Sequence, residues 1–170
     1  MSAAILDALD PGPRRQALHR CCGATAWVDG MLARHPFRDD ERLHAAADEV
    51  WATMGREDIL EAFSHHPRIG ANIDTLRERF GATADWSAGE QSSVGEASDE
   101  VLTALRDGNL AYEDRFGWIF IVCATGKTAG QMLQLLQARL SNAPEDELKV
   151  AAAEQAKITH LRLDKIATDV

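Results

Sequence analysis

The sequence predicts an all-α protein. Three observations carry that expectation. Ala, Leu, Glu, Arg and Gln dominate, apolar residues recur at spacings of three and four, and breakers divide the periodic stretches into helix-sized pieces. The periodic stretches fall at about 14–22, 25–34, 40–54, 56–64, 88–106, 108–115, 128–141 and 145–167. Pro11-Gly12-Pro13, Gly23, His35-Pro36, Gly55, Pro67 through Gly70, Gly81, Gly108, Gly126 and Asn142-Ala143-Pro144 separate them. Residues 64–90 form the longest stretch without strong helical period, although Asn72–Phe80 suits a short helix. Trp118-Ile119-Phe120-Ile121-Val122-Cys123 is rich in aromatic and β-branched residues and predicts a buried extended piece. One strand cannot pair with itself, so the segment reads as an extended run walled into a helical fold.

At 170 residues the chain is long enough for one cored domain, and 1–170 is read as a single domain. Apolar residues make up 45% and charged residues 26%, which excludes disordered and fibrous classes. Lys and Arg total 18 against 27 Asp and Glu, a formal charge of −9 that argues against nucleic-acid binding. The longest apolar run, 118–124, is too short to cross a bilayer, and neither end carries a signal-peptide or peroxisomal pattern. A cytoplasmic chain with no membrane partner is expected. Cys21, Cys22 and Cys123 make neither a disulfide framework nor a zinc spacing, and read as small buried hydrophobes in a reducing compartment.

Several residues outside the core pattern could carry chemistry. His66 precedes Pro67, which disfavours helical dihedrals for His66 and holds it on a rigid exit from the preceding helix. Such an imidazole suits proton transfer, and it equally suits a helix end whose two histidines favour the macrodipole. Ser87-Ala88-Gly89-Glu90 has the form of a capping box, and its helix start could also receive a carboxylate or oxo group, with Gly89 allowing close approach. Arg162 sits among Ile158, Leu161, Leu163 and Ile166 on the helical net. A guanidinium so placed is expected to be partly desolvated and to have an anionic or carbonyl partner, from the protein or from a ligand. Gly126-Lys127-Thr128 imitates the end of a phosphate-binding loop, but Ile121 stands where that motif needs glycine. His160 and Asp164, four apart, suit a surface pair better than a ligand set. No metal site is expected.

Taken together, His66-Pro67-Arg68-Ile69-Gly70, Ser87-Ala88-Gly89-Glu90-Gln91, Phe116 through Ala124 and His160-Leu161-Arg162-Leu163 resemble one family, in its order and spacing. That family is the 2-oxo-4-hydroxy-4-carboxy-5-ureidoimidazoline (OHCU) decarboxylases of urate degradation. The resemblance implies an all-helical enzyme without metal or organic cofactor, often homodimeric, that forms (S)-allantoin from a small unstable substrate. It further implies that His66 is the catalytic acid/base, with Glu90 beside it and Arg162 on the substrate. Pro67, the run Ser87, Ala88, Gly89, Glu90 and Gln91, and the run Phe120, Ile121, Val122, Cys123 and Ala124 would line the pocket. Two other classes compete: a cofactor-free hydrolase or isomerase of a related cyclic ureide, and a non-enzymatic helical interaction module. The first lacks a GxSxG-type nucleophile motif. The second leaves the His-Pro exit and the ringed Arg162 without a purpose.

Overall fold

The computed structural model describes residues 1–86 and 98–169. Its helices are α1 (Ser2–Ala8), α2 (Pro11–Cys21), α3 (Thr25–Leu32), α4 (Asp40–Trp51), α5 (Arg56–Ser64), α6 (Ile73–Trp86), α7 (Ser98–Phe116), α8 (Ala129–Leu140) and α9 (Pro144–Lys165), with a 3₁₀ turn at Ile69–Ala71. Among the described residues there is no strand, and none of the helices is long and apolar enough to cross a membrane. The all-α expectation is met. The chain's contacts divide it into two compact units: 1–66 with 121–123 and 152–170, and 67–120 with 124–151.

In the first unit α1 to α5 and the C-terminal part of α9 close over a core of Leu6, Leu18, Trp27, Met31, Leu43, Val50 and Leu163. Gly30 lets α3 and α4 approach, since a Cβ there would lie 2.5 Å from a Val50 methyl. Trp27 Nε1 donates to the Ala47 carbonyl at 3.2 Å, and Trp51 Nε1 to that of Ala152 at 3.1 Å, so both buried indoles are satisfied. Asp39 caps α4 by accepting from the Arg42 N–H at 2.8 Å. His44 and His160 stack and share an Nδ1–Nδ1 hydrogen bond, while their Nε2 atoms meet Asp164 and Asp48 respectively. His160 is therefore not paired with Asp164, its neighbour on the helical net.

The second unit packs α7 against α6 and α8. Tyr112 lies at its centre, with ring centroids 4.6 Å from Phe116 and 5.2 Å from Phe120, and its hydroxyl accepts from Trp118 Nε1 at 3.0 Å. Burial raises the Tyr112 hydroxyl pKa to about 12, so it stays protonated. A buried Arg139–Glu147 pair closes the far side, Nε to Oε1 2.5 Å.

Several readings depart from expectation, among them Gly81, read as a separator, through which α6 continues to Trp86. Pro11-Gly12-Pro13 does not precede α2 but forms its first turn, where proline's missing N–H costs nothing. Gly108 does not break a helix: α7 runs through it, because a side chain there would meet Leu136 of α8 at 2.7 Å. Helix α1 was not expected at all. Only seven residues long, it is held by a distant group, the Asp40 carboxylate, which accepts from the Ala3 N–H at 2.8 Å and pairs with the N-terminal amine. The 118–124 run is non-helical, as expected, with Trp118 and Ile121 buried and the residues between them and after them half-buried.

Candidate active site

Helix α5 ends at Ser64 in a tightened turn, with the His65 N–H on the Ala62 carbonyl at 3.3 Å and the His66 N–H on the Phe63 carbonyl at 3.1 Å. The chain then leaves the helix, as the His-Pro step requires. Gly23 makes room for this exit, because any Cβ there would lie 2.5 Å from the His65 ring. His66 is half-buried, and the face of α9 that it meets carries Gln155, Thr159 and Arg162 at spacings of four and three.

Each ring nitrogen of His66 has one neighbour. Nε2 lies 2.5 Å from Gln155 Oε1, and Nδ1 lies 3.5 Å from Arg162 Nη2. A carbonyl oxygen only accepts and a guanidinium only donates, so Nε2 carries the proton and Nδ1 presents its lone pair. Burial is the main cause that lowers the His66 pKa, opposed by the Gln155 hydrogen bond and assisted by the charges of Arg162 and His65. The imidazole is therefore neutral at pH 7 and has a bare nitrogen beside a cation.

Arg162 is half-buried and donates from Nη1 to the Arg20 carbonyl at 3.3 Å. The expected carbonyl partner exists; the expected ring of apolar neighbours is less complete, since Leu161 is 37% exposed. A cavity of about 530 Å³ opens beside Arg162, lined also by Ile5, Leu9, Cys21 and Lys165. Cys21 and Cys22 are buried as expected, and burial raises their pKa to about 12 and about 11. Thiols held protonated in this way are not nucleophiles at neutral pH.

The remaining expected site residues divide three ways. Ser87, Ala88, Gly89, Glu90 and Gln91 lie outside the described residues. In the first unit Ile121 is buried, Val122 is half-buried, and the Cys123 N–H donates to Glu154 Oε1 at 3.3 Å. In the second unit Pro67 is exposed, the Arg139 guanidinium lies 4.5 Å over the Phe120 ring, and the Ala124 carbonyl accepts from the Lys127 N–H at 3.1 Å. Among the described residues no group of three or more His, Cys, Asp or Glu is arranged to hold a metal ion. Gln155 and Thr159 were missed from sequence. Their signal was there, as a Gln and a Thr on one stripe with Arg162 along a helix that has to bury one face.

The fold and this site together define a helical protein that offers a neutral, partly desolvated imidazole beside an anchored guanidinium. Residues 7–164 match the family described as OHCU decarboxylase. The chain is 38% identical over 151 residues to the uric acid degradation bifunctional protein TTL of Arabidopsis thaliana, covering 88% of this chain and 46% of that protein. It is 35% identical over 151 residues to the 2-oxo-4-hydroxy-4-carboxy-5-ureidoimidazoline decarboxylase of Xenopus laevis, covering 86% and 81%. A crystal structure of OHCU decarboxylase in the presence of (S)-allantoin superposes with a TM-score of 0.72 at 35% identity, over 89% of this chain and 96% of that one. The chain belongs to the OHCU decarboxylase family, and it spans less than half the length of the bifunctional relatives it matches.

Proposed function

We propose that this chain decarboxylates 2-oxo-4-hydroxy-4-carboxy-5-ureidoimidazoline to (S)-allantoin, with His66 as the proton carrier. The observation that carries this reading is the bare Nδ1 of a neutral His66 beside Arg162. The substrate holds its own electron sink, a C5=N bond next to the carboxylated C4, so what the protein must supply is position and a proton. As the C4–carboxylate bond breaks, CO₂ leaves and the bonding pair forms C4=C5. The C5=N π pair moves onto nitrogen, which takes a proton from solvent. The C4 hydroxyl proton passes to His66 Nδ1 and is returned to one face of C5 while C4–O becomes a carbonyl. Net, one solvent proton is consumed per CO₂ released. Arg162 holds a carbonyl or carboxylate oxygen and favours the return of the proton, because an imidazolium next to it is disfavoured.

In the same reading Glu90 orients the substrate beside His66. Residues 87–91, Pro67 and 120–124 line the pocket, 1–170 works as one domain, and the protein is a cytoplasmic homodimer without cofactor. The test is circular dichroism at a wavelength where allantoin absorbs, with freshly generated substrate. One enantiomer should appear faster than in the enzyme-free control; a racemate formed at the control rate would overturn the proposal. Light scattering on the purified chain tests the dimer, and a monomer mass would remove it.

A further inference from the structure

Gln155 poses a question that the site alone does not answer. An amide side chain is nearly symmetric in shape, and its NH₂ group could face His66 as readily as its carbonyl. With the NH₂ turned inward, Nε2 would have to accept, Nδ1 would carry the proton, and that proton would point at the Arg162 guanidinium. The working nitrogen would then have no lone pair. Something has to fix the amide, and Thr159 and Arg162, further along α9, provide it.

Gln155 is fully buried, and its Nε2 donates to Thr159 Oγ1 at 3.1 Å. Thr159 is itself 5% exposed, so its hydroxyl is held against the amide away from solvent. Arg162 can only donate toward Nδ1, so the ring proton belongs on Nε2, the Gln155 group that meets it has to be the carbonyl, and the amide NH₂ is left for the Thr159 hydroxyl oxygen. The amide carbonyl is then left facing His66, and it can only accept. We infer that Thr159 and Gln155 form a hydrogen-bond relay that locks His66 in its Nε2–H tautomer and so leaves the Nδ1 lone pair unprotonated beside Arg162. Both are positioning residues: neither needs to touch substrate, and each acts through its neighbour. Fully satisfied buried networks of this kind favour a single arrangement.

The assignment deepens the proposed function and rests on it for its effect on rate, but the tautomer can be read without substrate. The probe is the protein labelled with ¹⁵N at histidine, observed by two-dimensional NMR above the pH at which His66 titrates. The groups that set that pH are Arg162 on α9 and His65 at the end of α5, besides Gln155 itself. Wild-type His66 should have a protonated Nε2 and a bare Nδ1. Gln155→Leu should mix the two tautomers and lower kcat by roughly tenfold, with a smaller change in KM. Thr159→Val, which frees the amide to turn over, should mix them as well. Gln155→Glu, an acceptor only, should restore the single Nε2–H form and move the His66 titration upward, which a merely structural residue would not do. A wild-type spectrum with Nδ1 protonated overturns the relay even if no variant folds. So does a Gln155→Leu protein that keeps a single Nε2–H tautomer. Failure of the wild-type chain to make allantoin would count against the proposed activity alone and leave the tautomer result to stand.

Discussion

The Arg162 guanidinium stands 3.5 Å from His66 Nδ1, a separation that a neutral imidazole accepts and an imidazolium resists. Burial first, and the Arg162 charge with it, make folded His66 take up a proton at a lower pH than the same residue in the unfolded chain, where the ordinary value is about 6.5. The sign follows from which state binds more protons: between the two values it is the unfolded chain. The contribution of His66 to stability is complete above about 6.5 and is lost as pH falls toward the folded value. The acid limb of kcat/KM is expected below about 6.5. Arg162→Gln removes a cation without adding an apolar group, so the limb should move up in pH and KM should rise roughly tenfold or more. A pH–rate series on both proteins checks this, and an unmoved limb would detach Arg162 from the imidazole.

His66→Ala separates chemistry from folding. The rate should fall by roughly 10²-fold or more if the imidazole carries the proton. The fold should survive, though at a cost, because the variant leaves the carbonyl of fully buried Gln155 without its donor. A group stranded in that way costs about 1–3 kcal/mol, or about 2–10 °C in Tm for a chain of this size. Thermal unfolding followed by far-ultraviolet circular dichroism measures it alongside the rate assay.

Much of this architecture could be read before any coordinates. Helices α3, α4, α5, α8 and α9 declare themselves by period and caps, since local propensity and burial agree there; Thr128, for one, caps α8 by accepting from the Gln131 N–H at 3.2 Å. His66 and Arg162 stand out because their chemistry conflicts with their setting. What escaped depends on distant partners. Gly108 carries a breaker's residue type, and only the neighbouring Leu136 reveals why a glycine belongs inside a helix. Helix α1 needs Asp40, far along the chain, to hold its first turn. Gln155 is an unreactive amide that matters through what it faces, and no spacing rule says what an amide faces.

The Gly108–Leu136 contact sets two opposing effects against each other. Replacing a helical glycine by alanine usually gains up to about 1 kcal/mol in helix propensity. Here the new methyl would lie 2.7 Å from Leu136 Cδ2 and 3.3 Å from its Cγ, and Leu136 is fully buried. Overpacking a core costs about 1–3 kcal/mol, so Gly108→Ala should be net destabilising. The cycle with Leu136→Ala decides whether this contact is the cause. Leu136→Ala costs about 2–5 kcal/mol in the native background and should cost less in the Gly108→Ala background, where the added methyl already fills part of the space. Additive losses in urea melts would place the cause elsewhere.

The Arg139–Glu147 pair yields the largest expected loss of stability. Glu147 is fully buried, and both of its carboxylate oxygens accept from Arg139 Nε, at 2.5 and 3.1 Å. Arg139 is 6% exposed and also lies over the Phe120 ring. Removing the carboxylate alone breaks a buried ion pair and takes away the counter-charge that Glu147 gives the Arg139 guanidinium. Glu147→Ala should therefore cost about 3–5 kcal/mol, whereas Arg139→Met with Glu147→Leu, which removes both charges and refills the space, should restore most of that loss. Urea unfolding of the single and double variants measures this. If the double variant is no more stable than Glu147→Ala, the cost comes from lost packing and not from the broken ion pair.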